Sequence, residues 1–280
     1  MRPALIIRQS LAALLLTAGL SLPAAAEPAG ASYRLYQRTA HAPAATTAVY
    51  SGGPVLDSVK LVIVLWGKGV APITMARIGP FASAIVNSTY LDALAPYENA
   101  NKASVGRGAY FGKIRINPND KSKTIYDAEI QSELAVQIAQ GALPPADAET
   151  LYMVYLPPGT IVDLGGAKSC SAFGAYHAAA ALPNSMSHLV YAVVPDCGGG
   201  FNDVTNVSSY EMLAAITDPF PTAAAQPKFP QGWTTSTAGD VGGLCAGKQA
   251  NLTAAGKTYV VQQIFNPLHS VCDVGNYTTP

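Results

Sequence analysis

Apolar residues in this chain come in short runs separated by Gly and Pro turns, and the spacing within a run differs from one to the next. Val59–Trp66 (Val-Lys-Leu-Val-Ile-Val-Leu-Trp) is almost continuously apolar and β-branched, the pattern of a central strand buried on both faces. Ile73–Asn87 places apolar residues at helical spacing, with Pro80 marking a kink or the first turn of a second helix. Tyr110–Ile116 alternates apolar and polar residues and ends at Pro118-Asn119-Asp120, which predicts a strand and a turn. In Tyr126–Gln140, Ile130, Leu134 and Ile138 share one face and Gly141 closes the segment, which predicts an amphipathic helix. Leu151–Leu156 and Leu189–Val194 read as strands stopped by Pro157 and Pro195, and Tyr259–Ile264 as a late strand. A helix carrying Tyr210 and Glu211, capped by Asn206 or Ser208, ends just before Pro219. Strands and helices interleave with no repeat and no second composition regime. The expected class is therefore mixed α+β (α/β): a single domain with a central twisted sheet flanked by helices.

The N-terminus follows a different pattern. Arg2 and Arg8 precede an apolar run from Leu11 to Leu22, then Pro23, Ala24-Ala25-Ala26 and Glu27. A basic region, a short apolar core and small residues predict a secretory signal peptide over 1–26, cleaved after Ala26. The apolar core is short for a membrane span, and no later stretch is long and apolar enough for one. Residues 27–49, rich in Ala, Pro and Thr without an apolar period, read as a flexible lead, leaving 50–280 as the folded domain.

Composition narrows the partners. Charged residues are only 12% of the chain, and removal of 1–26 leaves fifteen basic against seventeen acidic residues, so nothing attracts nucleic acid or an anionic membrane. With 49% hydrophobic residues, a sizeable core is expected rather than disorder. The four cysteines, Cys170, Cys197, Cys245 and Cys272, lie in the second half of an exported chain, so disulfides are expected. Of the three possible pairings, Cys170–Cys197 and Cys245–Cys272 each close a loop of modest size. No C-x-x-C pair suggests a zinc site.

The segment Ser209–Pro219 has the frame of a zinc-hydrolase helix, in which two ligands four residues apart flank a glutamate that follows the first. Glu211 stands at the glutamate position, but the ligand positions hold Tyr210 and Ala214. Alanine has no donor atom, and a phenol with a pKa of about 10 is a poor zinc ligand at neutral pH. Elsewhere, no Gly-x-Ser-x-Gly elbow supports serine catalysis, and Gly165-Gly166 and Gly198-Gly199-Gly200 lack the lysine and context of a phosphate loop. His41, His188 and His269 take no role. Tyr152, Tyr155 and Tyr191 fall in strands, where core packing competes with a sugar-binding face.

Several blocks in order resemble the EXORDIUM, or phosphate-induced protein 1, family of secreted proteins. They are Gly52-Gly53-Pro54-Val55-Leu56, the strand ending Leu65-Trp66-Gly67, Ala175-Tyr176-His177, Tyr191-Ala192-Val193-Val194 before Cys197, the helix Ser209–Pro219, and Tyr259-Val260-Val261-Gln262-Gln263 with Cys272. Together they span roughly residues 50–273. On the helix the family reads His-Glu-Leu-Ala-Glu-Ala-x-Thr-Asp-Pro. Glu211, Thr217, Asp218 and Pro219 match it, whereas Tyr210 replaces the histidine and Ala214 the second glutamate. Downstream, where the family carries two acids before a cysteine, Asp240 is kept and Gly243 stands at the other place.

The resemblance implies two readings. In the first, the chain is a secreted, disulfide-bonded, non-catalytic protein that binds or signals at the cell envelope or outside the cell, and needs no cofactor. In the second, it is a zinc-dependent hydrolase or peptidase with a rearranged site, in which His177, Asp218 and Asp240 hold the metal and Glu211 is the general base. A further possibility is carbohydrate binding by exposed tyrosines and Trp233.

Overall fold

The computed structural model describes residues 32–36, 47–183, 185, 187–221, 230–235 and 239–275. The expected signal peptide over 1–26 therefore lies outside the described residues. In chain order the elements begin with β1 (Ser32–Tyr36), β2 (Ala48–Tyr50), β3 (Lys60–Trp66), α1 (Pro72–Ile85), α2 (Thr89–Asp92), β4 (Ala109–Ile116) and β5 (Thr124–Tyr126). Next come α3 (Asp127–Ala139), β6 (Thr150–Tyr155), β7 (Ile161–Leu164), β8 (Ala167–Lys168), β9 (Ala175–Ala181), β10 (His188–Val194) and α4 (Gly200–Thr217). The last part holds β11 (Trp233–Thr235), β12 (Gly239–Asp240), a 3-10 turn at Val241–Cys245, β13 (Gln249–Ala254), β14 (Lys257–Gln262), β15 (Ile264–Asn266) and β16 (Val271–Asp273).

Six strands form the central sheet in the order β1-β9-β10-β6-β3-β4. β10, β6, β3 and β4 run parallel, whereas β9 is antiparallel to both β10 and β1. The apolar run of β3 shows why both faces are covered. Leu61, Ile63 and Leu65 enter one core with α1 and α4, and Val62, Val64 and Trp66 enter a second core with α3. β6 and β10 divide their side chains in the same way, so the domain is a sheet with helices on both faces.

The helices and strands expected over residues 59–264 are present, and the structure departs from expectation in several places. The helix expected to start from Asn206 or Ser208 starts at Gly200, because Phe201, Val204 and Val207 extend its buried surface upstream. Asn206 and Ser208 are inside the helix; the Ser208 hydroxyl bonds back to the Val204 carbonyl at 2.6 Å. β9 was not foreseen, since its run of alanines carries little strand propensity. Pro80 does not open a second helix; it lies within the single helix α1. The lead expected to be flexible over 27–49 contains β1 and β2, and Tyr36 is buried against the first core. Pairing with the edge of β9 supplies β1 with partners that local sequence does not show.

Both expected disulfides are present, with Cα atoms 5.2 Å apart for Cys170–Cys197 and 5.9 Å for Cys245–Cys272. The first ties the segment before β9 to the segment before α4. The second ties the 3-10 turn after Asp240 to β16. Each bond thus anchors a part of the chain that leads into the region described next.

Candidate functional site

α4 is buried almost all round, with only its first turn reaching the surface. Such a helix must satisfy its polar side chains internally. Ser209 and Thr217 donate to carbonyls three or four residues back in the helix, and Thr205 donates to the Val260 carbonyl at 2.7 Å. Ser209 Oγ in turn accepts the Gln262 N–H at 2.8 Å. α4 is therefore fixed both to the sheet beneath it and to β14 beside it.

Glu211 faces β9. Its Oε2 lies 3.2 Å from His177 Nδ1, and His177 Nε2 lies 3.2 Å from the Asp218 carbonyl oxygen. Both side chains are 0% exposed. A carbonyl only accepts, so Nε2 carries a proton. Nδ1 then either accepts from a protonated Glu211 or donates to its carboxylate, and in both cases the pair is neutral. Burial raises the Glu211 pKa well above the ordinary carboxyl range, and the nearby Asp240 charge adds to the shift. The protonated acid donating to a neutral imidazole is the arrangement this environment favours. Among the described residues Glu211 Oε1 has no hydrogen-bond partner, a position that suits an uncharged acid better than a carboxylate.

Tyr210 points to the neighbouring carboxylate. Its hydroxyl donates to Asp240 at 3.0 Å from Oδ1 and 3.2 Å from Oδ2. Asp240 Oδ1 also accepts the Gly243 N–H at 3.2 Å, as the cap of the 3-10 turn. Desolvation, followed by the charge of Asp240, pushes the Tyr210 phenol well above its ordinary value. Tyr36, from β1, packs edge-on against the Tyr210 ring at 4.6 Å between centroids. A residue from the lead thus covers the tyrosine that stands at the first ligand position.

Asp218 ends α4 and faces a different group of atoms. Its N–H bonds to the Ala214 carbonyl, its Oδ1 accepts the Gly232 N–H at 2.8 Å, and its Oδ2 lies 3.5 Å from Gln231 Nε2. Its backbone carbonyl lies 3.2 Å from His177 Nε2. A Cβ on Gly232 would run into the Thr217 and Pro54 carbonyl oxygens, so glycine permits the close approach that delivers this N–H.

The structure therefore brings His177 to Glu211 and to the Asp218 backbone, and joins Asp240 to Tyr210. It does not gather the carboxylates of Asp218 and Asp240 with His177 into one ligand set. Among the described residues, no group of three or more His, Cys, Asp or Glu side chains is placed to hold a metal ion. Ala214 is fully buried within the core and offers only its backbone. The four partners Glu211, His177, Tyr210 and Asp240 are at most 4% exposed.

A second buried carboxylate lies across the sheet. Asp127, at the start of α3, accepts from Tyr176 at 2.6 Å and Tyr191 at 2.7 Å on Oδ1, and from Gln131 at 2.7 Å on Oδ2. Burial raises its pKa although the three hydrogen bonds oppose the shift. Sequence reasoning missed this network. The place of Asp127 in the acidic first turn of α3 was its available signal.

The aromatic candidates for sugar binding are placed differently. Tyr152, Tyr155 and Tyr191 are core residues. Trp233 is half-buried between Tyr50 and Tyr97, with ring centroids 5.3 Å from each, and its N–H donates to the Glu98 carbonyl at 2.9 Å. Among the described residues no helix is long and apolar enough to cross a membrane, and the two disulfides fit an extracellular protein. Comparison of the chain with protein families, with curated proteins and with solved structures finds no match.

Proposed function

We propose that this is a non-catalytic, extracytoplasmic protein that acts by binding, with a helix of zinc-hydrolase frame converted to structural use. One observation carries the reading: the hydrogen-bonding groups where the metal chemistry would be expected are engaged with one another. The Tyr210 phenol takes Asp240, His177 takes Glu211, and all four are sealed from solvent. A general base needs a water or substrate within reach, and a zinc site needs converging donors with an open position. The observed pairing supports neither requirement. The ordered blocks shared with EXORDIUM-like proteins support a secreted setting, and the disulfides agree with it.

The test is metal analysis and peptidase assay on purified, oxidised protein. The expected result is substoichiometric zinc after dialysis and no turnover of casein or unstructured peptides. One zinc per chain retained through dialysis overturns the reading. So does zinc-dependent turnover that is lost in Glu211→Gln.

A further inference from the structure

A cleft of about 380 Å³ opens at the carboxyl ends of three parallel strands, among the loops that follow β3, β4 and β6. It shares no residue with the α4 site. The connection from β3 to β4 runs through α1 on one face of the sheet. The connection from β4 back to β6, on the other side of β3, runs through α3 on the opposite face. The chain therefore reverses its winding at β3. In open α/β sheets a crevice at such a point is where ligands bind. The volume is within the range of small-molecule sites.

The walls are built rather than loosely closed. The backbone N–H and side-chain amide of Asn119 both bond to the buried Glu133 carboxylate of α3, at 3.0 and 2.9 Å. Asp120 Oδ1 accepts the Ser122 N–H at 2.7 Å, which folds the same loop back on itself. On the other side, a Cβ on Gly69 would sit 3.2 Å from Pro157, so the β3 and β6 loops are in close contact.

The lining is rich in uncommitted donors. Trp66 is 4% exposed and Thr160 is 8% exposed. Both line the cleft, and the indole N–H and the Thr160 hydroxyl make no hydrogen bond among the described residues. Neither is among the sealed, unsatisfied polar atoms of the described residues. Lys68 and Lys121 line the same space, are exposed, and form no ion pair among the described residues. Against these two positive charges stands one negative charge, that of Asp120. Pro118 and Pro157 supply apolar wall beside the indole.

We propose that this cleft binds a small oxyanionic molecule, its phosphate or carboxylate group held by Lys68 and Lys121 and its body lying against Trp66 and the two prolines. Two free ammonium groups with buried neutral donors behind them match an acceptor-only oxyanion, because charge-assisted bonds to such a group are the strong ones. The Trp66 N–H and Thr160 hydroxyl provide fixed, partly desolvated donors that bulk salt does not screen as it screens the lysines.

The chain has only two tryptophans, Trp66 and Trp233, so its two indole N–H signals in a ¹⁵N-correlated NMR spectrum form an internal comparison. They are assigned through Trp66→Phe and Trp233→Phe. The full mature chain is titrated with inorganic phosphate and, separately, with succinate, each against sodium chloride at matched ionic strength. The expected result is a saturable shift of the Trp66 signal with one or both anions, while the Trp233 signal stays in place. Saturation by phosphate alone assigns a phosphate ligand, and saturation by succinate alone a carboxylate. The double variant Lys68→Ala/Lys121→Ala, changed only at exposed positions, weakens binding at least tenfold and melts as the wild type does. A Trp66 response no larger than that to chloride overturns the proposal, as does unchanged binding in the double-lysine variant.

Discussion

Tyr176 and His177, neighbours on β9, send their polar atoms to opposite faces of the sheet. The Tyr176 hydroxyl donates to Asp127 at 2.6 Å, and His177 Nδ1 meets Glu211 at 3.2 Å. Strand geometry makes successive side chains alternate, so one dipeptide ties a carboxylate of α3 and a carboxylate of α4 to the same strand. A slip of one residue in the register of β9 would exchange the two and withdraw the Tyr176 hydroxyl from Asp127 and the His177 ring from Glu211. The small side chains around this dipeptide, Ala175, Ala178 and Ala179, occupy little space between the sheet and its covering helices.

The neutral His177–Glu211 pair sets a pH dependence. Above the ordinary histidine value of about 6.5, the unfolded chain has released protons from both groups, while the folded pair keeps one on Glu211. The folded state then holds more protons, so stability falls as pH rises, by up to about 1.4 kcal/mol per pH unit. Between the ordinary values of the two groups the proton counts are equal and this contribution is flat. Glu211→Gln can still donate to Nδ1 but has no proton to release. Thermal melts from pH 5 to 9 are expected to show a decline above pH 6.5 in the wild type, and none from this pair in the variant.

Tyr210→Phe keeps the ring contact with Tyr36 but removes one donor from the buried Asp240. The Gly243 N–H, which Asp240 Oδ1 already accepts, does not replace it. The expected cost is about 1–3 kcal/mol in denaturant unfolding, the penalty for leaving a buried acceptor short of a partner. A change below a few tenths of a kcal/mol would mean that the hydroxyl contributes little to holding Asp240.

Replacing either disulfide pair with alanine removes a cross-link between residues 27 apart in sequence. Loop entropy gives an expected loss of about 3–4 kcal/mol for each. The two losses are expected to add, since the bonds anchor different segments. Guanidinium titration of the two double variants and of the quadruple variant checks both statements.

Gly232→Ala is expected to destabilise the fold by about 1–3 kcal/mol, because its methyl group has only backbone carbonyls to meet at the end of α4. The same displacement withdraws the Gly232 N–H from Asp218. Urea unfolding measures the cost, and the Gly232 amide is expected to lose protection in hydrogen exchange.

The elements read from pattern alone were those with a strong internal signal. β3 is apolar throughout because both of its faces are covered, and α3 shows a clean helical stripe because it has one solvent face. β9 and β1 lacked such a signal. Alanine favours no strand, and β1 owes its strand conformation to a partner about 140 residues away in sequence, reflecting the Leu35–Tyr176 pairing. α4 was read too short because polar residues that usually cap a helix were here absorbed into its buried interior. The Asp127 network was invisible for a similar reason: its four members come from α3, β9 and β10, and nothing in their spacing links them.

Residue identity by itself determined that positions 210 and 214 hold no pair of metal-binding side chains, that four cysteines favour two bonds, and that strands and helices alternate around a buried sheet. These follow from donor chemistry and from local periodicity, which a linear sequence carries. Only the tertiary structure decided what those residues do instead. It set Tyr210 against Asp240 and His177 against Glu211, separated the Asp218 carboxylate from both pairs, and placed unpartnered Trp66 and Thr160 beside two lysines. The physical reason is that hydrogen-bond partnership and desolvation depend on distances across the fold, and those distances are fixed by packing between segments far apart in the chain.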